Sequence, residues 1–295
     1  MILVTGANGF VGGALGRHLH ASGHALRGFA RHPEQRKEPD APYTEWSAGS
    51  ILDPHTLDAA MAGVDTVIHL VGILAETRTL SFEQVHHQGT RNVLEAAKRA
   101  GVTRYIQMSS LGTRRNAASR YHQSKWLAEE AVRASGLDYT ILRPSVIFGP
   151  HDSFINLFAK MARYSPALPL IGDGKSLMQP IWVEDLARIV VQCLEKPETI
   201  AQTYELGGPE QIPFREILDA ILQTLKLRRF KLPGPVSLLK LEAALFEAVL
   251  PTPPLTRDQL IMAQEDNICS GAPIPAPFAC EPMPLREGIS AFLKP

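Results

Sequence analysis

Directly after its first apolar run, Ile2-Leu3-Val4, the chain reads Thr5-Gly6-Ala7-Asn8-Gly9-Phe10-Val11-Gly12 and continues as a helical pattern to Ser22. This arrangement leaves little freedom in how the segment can fold. Glycine at 6 permits a tight turn off a strand. Glycine at 9 lets backbone approach a pyrophosphate with no Cβ between them, and glycine at 12 lets helix and strand pack closely. The opening helix adds free N–H groups and a partial positive charge. The spacing predicts a βαβ unit whose loop, through Gly6, Asn8, Gly9, Phe10, Val11 and Gly12, grips the diphosphate of a dinucleotide.

The chain beyond Ser22 keeps the same alternation. Strands are expected at Ala25–Ala30, Thr66–Val71, Tyr105–Ser109 and Tyr139–Leu142, and helices at Leu57–Met61, Ser81–Ala100 and Tyr121–Ser135. The order predicts an α/β fold: a doubly wound parallel sheet (Rossmann) with a smaller C-terminal substrate lobe. The dinucleotide-binding domain is expected at 1–148 and 181–206, where Tyr204-Glu205-Leu206 reads as a last strand. The substrate-binding lobe is expected at 149–180 and 207–295. Pro251, Pro253 and Pro254 mark a rigid break.

Composition narrows the function classes. Lys+Arg and Asp+Glu are both 30, so the basic excess of a nucleic-acid binder is missing. Cys193, Cys269 and Cys280 form neither a disulfide framework nor a C-x-x-C zinc pair, which fits reduced thiols in a cytoplasm. His86 and His87 would point about 100° apart on a helix, so no metal site is expected. No apolar stretch reaches the ~18 residues of a membrane span, and no signal peptide precedes the first strand.

The end of the second strand selects the cofactor. NAD sites usually carry an acidic residue there for the ribose hydroxyls. Here the strand runs into Arg31-His32, and the first acid is Glu34. A guanidinium can hold a 2′-phosphate through two parallel hydrogen bonds. NADP(H) is therefore predicted in preference to NAD(H), with Arg31 as its marker.

Further along, Ser109-Ser110 ends a strand, Tyr121 and Lys125 lie four residues apart on a helix, and Arg143-Pro144-Ser145-Val146-Ile147-Phe148-Gly149-Pro150 leads into the second lobe. With the glycine turn, Gly89–Ala97 and Trp182–Ala187, these segments resemble the extended or atypical short-chain dehydrogenase/reductases over roughly residues 1–210. Within that branch the stretch Arg143–Phe158 is similar to the nucleotide-binding accessory subunit of respiratory complex I and its bacterial relatives. The resemblance implies Ser110, Tyr121 and Lys125 as catalytic residues. It also implies Leu70, Val71, Gly72, Lys125 and Pro144 as cofactor contacts. A Tyr/Lys pair has a physical logic. A free phenol has a pKa near 10, and an adjacent ammonium favours its ionised form. A lowering of about three units needs about 4 kcal/mol.

Two functions stay open: an oxidoreductase or epimerase acting on a hydroxyl or carbonyl compound, and a catalytically idle NADP(H)-binding accessory or assembly protein of a respiratory complex. Departures argue against a typical nucleotide-sugar substrate. Ser50 stands where the family has an acid, with the Ile51 backbone as a substitute adenine contact. His86 stands where it has a structural Asn, and Met178 where sugar epimerases carry a diphosphate-binding Arg. A Met cannot pair with a diphosphate. Arg114, Arg115 and Arg120 form a basic loop open to an anionic substrate or headgroup. The apolar stretch Val236–Leu250 is expected to cap the substrate pocket as core, with docking on a membrane surface or respiratory partner as the alternative.

Overall fold

The computed structural model describes residues 1–36, 42–250 and 255–295. Its centre is a sheet of seven strands, and every pairing in it is parallel. In chain order these are β1 (Ile2–Thr5), β2 (Leu26–Ala30), β3 (Glu45–Ala48), β4 (Thr66–His69), β5 (Arg104–Met108), β6 (Asp138–Pro144) and an edge strand, Gln202–Leu206. In space the order is edge strand, β6, β5, β4, β1, β2, β3. The chain winds one way from β1 through β3 and the other way from β4 onward. The switch point thus falls between β1 and β4, where Thr5 lies beside His69 at the carboxyl ends. In open α/β sheets that crevice is where ligands bind.

β3 is not among the strands expected from the sequence. Glu-Trp-Ser-Ala is half polar and sits at the sheet edge, so no buried run announces it. Its role is visible in its neighbours. Tyr43, just ahead of it, donates to Gly12 O at 2.6 Å and packs so closely on Gly16 that a Cβ there would lie 2.7 Å from the ring. The expected helix at Ser81–Ala100 is really two pieces. A wide π-type turn, Glu83–Gln88, precedes α3 (Gly89–Arg99).

Helices cover both faces. α1 (Phe10–Ala21) packs with α6 (Val183–Glu195) on one side through Leu15, Leu19, Leu186 and Val190. On the other lie α2 (Pro54–Ala60), α3 and α4 (Arg120–Arg133). α5 (Ile155–Tyr164), α7 (Phe214–Thr224) and α10 (Leu285–Phe292) enclose a separate core around Phe214, Ile217 and Ile221. A parallel two-stranded ribbon, Ala167–Ile171 with Phe230–Gly234, lies beside them.

α8 (Val236–Val249) does not form the buried cap expected of it. Leu241, Leu245 and Val249 face solvent, and the helix packs chiefly against the short α9 (Arg257–Met262). Composition reports how apolar a segment is, not whether anything covers it. Pro251, Pro253 and Pro254 lie outside the described residues. Among the described residues no helix is long and apolar enough to cross a membrane.

Candidate active site

The glycine turn is built as the sequence predicts. Gly6 sits at φ +76°, and Gly9 N–H donates to Gly6 O at 3.0 Å. A Cβ on Gly12 would lie 2.5 Å from Gly6 O and 2.7 Å from Ala7 O, so position 12 admits no side chain. Gly9 precedes α1, and no side chain caps that helix. Its first-turn N–H groups lack intrahelical acceptors, and the turn just before them borders a cleft of about 250 Å³. Gly6, Asn8, Gly9, Arg31, Leu70, Val71 and Gly72 all line this cleft.

The other expected cofactor contacts stand back from it. Gly12 packs beneath the turn, Val11 leans on the core, and Phe10 meets Gly149. Pro144 is buried at the end of β6, with its carbonyl accepting from Leu111 N–H. Ile51, the expected adenine contact, also lines the cleft, and its carbonyl accepts from Asn92 Nδ2 at 2.9 Å. Asn8 ties the loop after β2 to the glycine turn by donating to His32 O and Gln35 O. The first acid of that loop, Glu34, is 3.3 Å from His32 Nδ1.

α4 brings the second group together. Ser119 caps it by accepting from His122 N–H, and Asp258 of α9 accepts from the N–H groups of Arg120 and Tyr121. Tyr121, Lys125 and Glu129 then succeed one another at four-residue intervals along one buried face. Tyr121 hydrogen-bonds Ser110. Lys125 Nζ donates to Met108 O at 3.1 Å and lies 6.0 Å from the Tyr121 ring centre. A Cβ on Gly72 would come within 3.1 Å of that ammonium, so the lysine abuts the cleft that Gly72 lines. Ser110, Tyr121 and Lys125 thus converge.

Electrostatics differ from the sequence expectation. Tyr121 is only 8% exposed, ringed by Phe82, His86 and His122. Burial pushes its pKa up to about 12, and the bond to Ser110 only partly offsets this. The phenol is held protonated instead of being lowered. Lys125 moves the other way: burial brings it down to about 8, against the pull of Glu129.

In the sequence His86 stands out as a departure and as half of a His-His pair unfit for a metal, and Glu129 does not stand out at all. His86 Nε2 accepts from Ile73 N–H at 3.0 Å, so the proton sits on Nδ1, which donates to Ser124 Oγ at 2.8 Å. Ser124 in turn donates to Tyr121 O. Burial and the Lys125 charge bring His86 down to about 2, and His69 to about 3. Both are neutral at any ordinary pH. Glu129 is fully buried and takes two bonds from Arg143, one from Arg133 and one from Ser109. Its place four residues after Lys125 was the available signal.

Beyond Phe82 a second cleft of about 580 Å³ opens between Glu76, Arg78, Arg120, Glu247, Leu250 and Ile261. The basic loop beside it is largely committed to ion pairs. Arg114 meets Glu265 at 2.8 Å and Arg120 meets Glu76 at 2.8 Å. Met178 pairs with Ile212 and offers no cation.

Residues 2–207 match the model of the NAD dependent epimerase/dehydratase family. The chain belongs to that family. It is 35% identical over 189 residues, 63% of its own length and 47% of the other's, to NADH dehydrogenase (ubiquinone) 1 alpha subcomplex subunit 9, mitochondrial, of Arabidopsis thaliana. It is 34% identical over 203 residues, 67% of its length and 62% of the other's, to a ceramide reductase of Caulobacter vibrioides. The chain spans about half the length of the mitochondrial relative. Among solved structures, MoeE5 in complex with UDP-glucuronic acid and NAD superimposes with a TM-score of 0.68 at 22% identity, covering 79% of this chain and 85% of that one. At that identity the likeness establishes the fold.

Proposed function

We propose that this family member binds NADP(H) and reduces the carbonyl of a small, largely apolar compound. The carrying observation is that Ser110, Tyr121 and Lys125 converge, with Lys125 against Gly72, at the border of a cleft lined by Gly72 and by the glycine turn before an uncapped helix. A cradle that a Cβ would fill, beside free amide donors, fits a dinucleotide diphosphate. Arg31 in the cleft wall, with no acid among the described residues that line it, supports the 2′-phosphate form.

The nicotinamide, when bound, supplies the hydride that reduces the carbonyl carbon. Ser110 Oγ–H holds the carbonyl oxygen. Tyr121, protonated at neutral pH, gives its proton to that oxygen as the charge develops there. Lys125, charged below about pH 8, stabilises the phenolate left behind, and a proton from solvent restores the phenol. The substrate is proposed to enter from the lobe made by 149–180 and 207–295. Lack of a cation at Met178 and similarity to a ceramide reductase both support an apolar, non-nucleotide substrate.

A second reading keeps cofactor binding without turnover: an accessory protein of a respiratory assembly. It is favoured by the closure of Phe82, His86 and His122 around Tyr121, and by similarity to the mitochondrial subunit. Either role is compatible with a cytoplasmic, membrane-peripheral protein. The test is calorimetry with NADPH and NADH, followed by a ketone panel with wild type and Tyr121→Phe. Tighter NADPH binding and a turnover that Tyr121→Phe abolishes support the reductase. NADPH binding with no turnover in wild type selects the accessory role, and equal or tighter NADH binding overturns the cofactor assignment.

A further inference from the structure

We propose that the outer face of the ribbon Ala167–Ile171/Phe230–Gly234, flanked by the cationic stretch before it, docks this protein on the surface of an anionic lipid bilayer. In the parallel register Phe230 lies opposite Ala167, Leu232 opposite Pro169 and Gly234 opposite Ile171. Paired residues share a sheet face, so every side chain on this face is apolar. The other face is anchored: Leu168 and Leu170 are buried, and Lys231 pairs with Asp219 of α7 at 2.6 Å. The ribbon is therefore held from one side and, at Phe230 and Leu232, open on the other.

The open side is strongly exposed, at 76% for Phe230 and 58% for Leu232. Phe230 N–H donates to Pro166 O, so its backbone meets the chain two residues past the end of α5. Tyr164, the last residue of that helix, is 84% exposed, and Leu157, seven residues earlier and so on the same helical side, is exposed as well. Scattered exposed leucines need no explanation, but a contiguous apolar face does. α8 leaves the ribbon at once, with Leu239 packed on Gly234, and carries exposed Leu241, Leu245 and Val249 at four-residue intervals.

Charge selects the occupant. From Lys226 to Lys240 the chain has five cations (Lys226, Arg228, Arg229, Lys231, Lys240) and no acid, although its total charge is balanced. Lys226, Arg228 and Lys240 are exposed. The ribbon face has no hydrogen-bonding side chain with which to specify a protein partner. Apolar and aromatic side chains beside basic ones match the chemistry of an anionic lipid interface.

Docking on this face is independent of the reaction at Tyr121, and so is its test. The protein is sedimented with phosphatidylcholine vesicles containing about 30% phosphatidylglycerol, and with phosphatidylcholine alone. Binding to the anionic vesicles is expected, about tenfold or more above the neutral ones, and weakened by high salt. The double variant Phe230→Ser/Leu232→Ser should lose about tenfold or more in partition, with unchanged melting temperature and NADPH affinity. Arg228→Glu should weaken binding to anionic vesicles alone. The proposal is overturned if wild type sediments with neither vesicle, or if the double variant binds as well as wild type. It also fails if light scattering shows a wild-type dimer that the double variant converts to a monomer without any lipid binding; the face would then belong to a second copy.

Discussion

Acid should weaken this protein through two histidines that it keeps neutral. His69 is buried at the end of β4 with Nδ1 2.6 Å from Thr5 Oγ1, and His86 is pinned between Ile73 N–H and Ser124. Burial first, and Lys125 second, bring their pKa values down to about 3 and about 2. In the unfolded chain each titrates near 6.5. Between those limits the unfolded state binds protons that the folded state refuses. The histidine contribution is therefore complete above about pH 6.5 and is lost as pH falls toward 3. Each group contributes at most about 1.4 kcal/mol per pH unit. By pH 5 the pair should have cost about 4 kcal/mol, a large share of a typical folding free energy. Urea unfolding at about pH 7, 6 and 5 measures this slope. In His86→Gln, whose amide can still accept from Ile73 N–H, the pH 7-to-5 loss should shrink by about 2 kcal/mol. His122 is also lowered by burial but is present in both proteins, so the difference isolates His86. Identical slopes for wild type and variant would show that His86 charges in the folded state, and the neutral-tautomer argument would be wrong.

The same geometry sets the outcome of other perturbations. Gly12→Ala forces a Cβ into three backbone atoms within 2.7 Å and should cost roughly 3 kcal/mol or more in chemical unfolding. Gly9→Ala meets only Gly6 O at 3.2 Å, so it should leave the melting temperature nearly unchanged while weakening NADPH binding about tenfold or more by calorimetry. Glu129→Gln leaves Arg143 and Arg133 without their carboxylate and should destabilise by about 3–5 kcal/mol, read as a lower urea midpoint. Finally, Lys125 loses its proton as pH rises through about 8. Ketone reduction should therefore fall above that pH, and a rate that is flat to about pH 10 would remove Lys125 charge from the mechanism.

The parts legible in the sequence are those where a local rule leaves one solution. The turn at Gly6, Gly9 and Gly12 could be read because its backbone has no room for side chains, and residue identity reports that directly. Tyr121 and Lys125 could be paired because four residues on a helix put side chains on one face. Illegible features have causes far away in the chain. β3 exists because β2 offers it an edge and Tyr43 reaches Gly12, not because Glu45–Ala48 has strand character. Glu129 reads as an ordinary helix charge until β6 delivers Arg143 and β5 delivers Ser109. Tyr121 shows the same limit in energetic form. The local rule predicts a lowered phenol, because it counts the ammonium four residues on. The fold then brings Phe82, His86 and His122 around the ring, and desolvation outweighs that charge. A motif therefore identifies which atoms will meet, while the protonation state, and with it the direction of proton transfer, is set by what the rest of the chain packs against them.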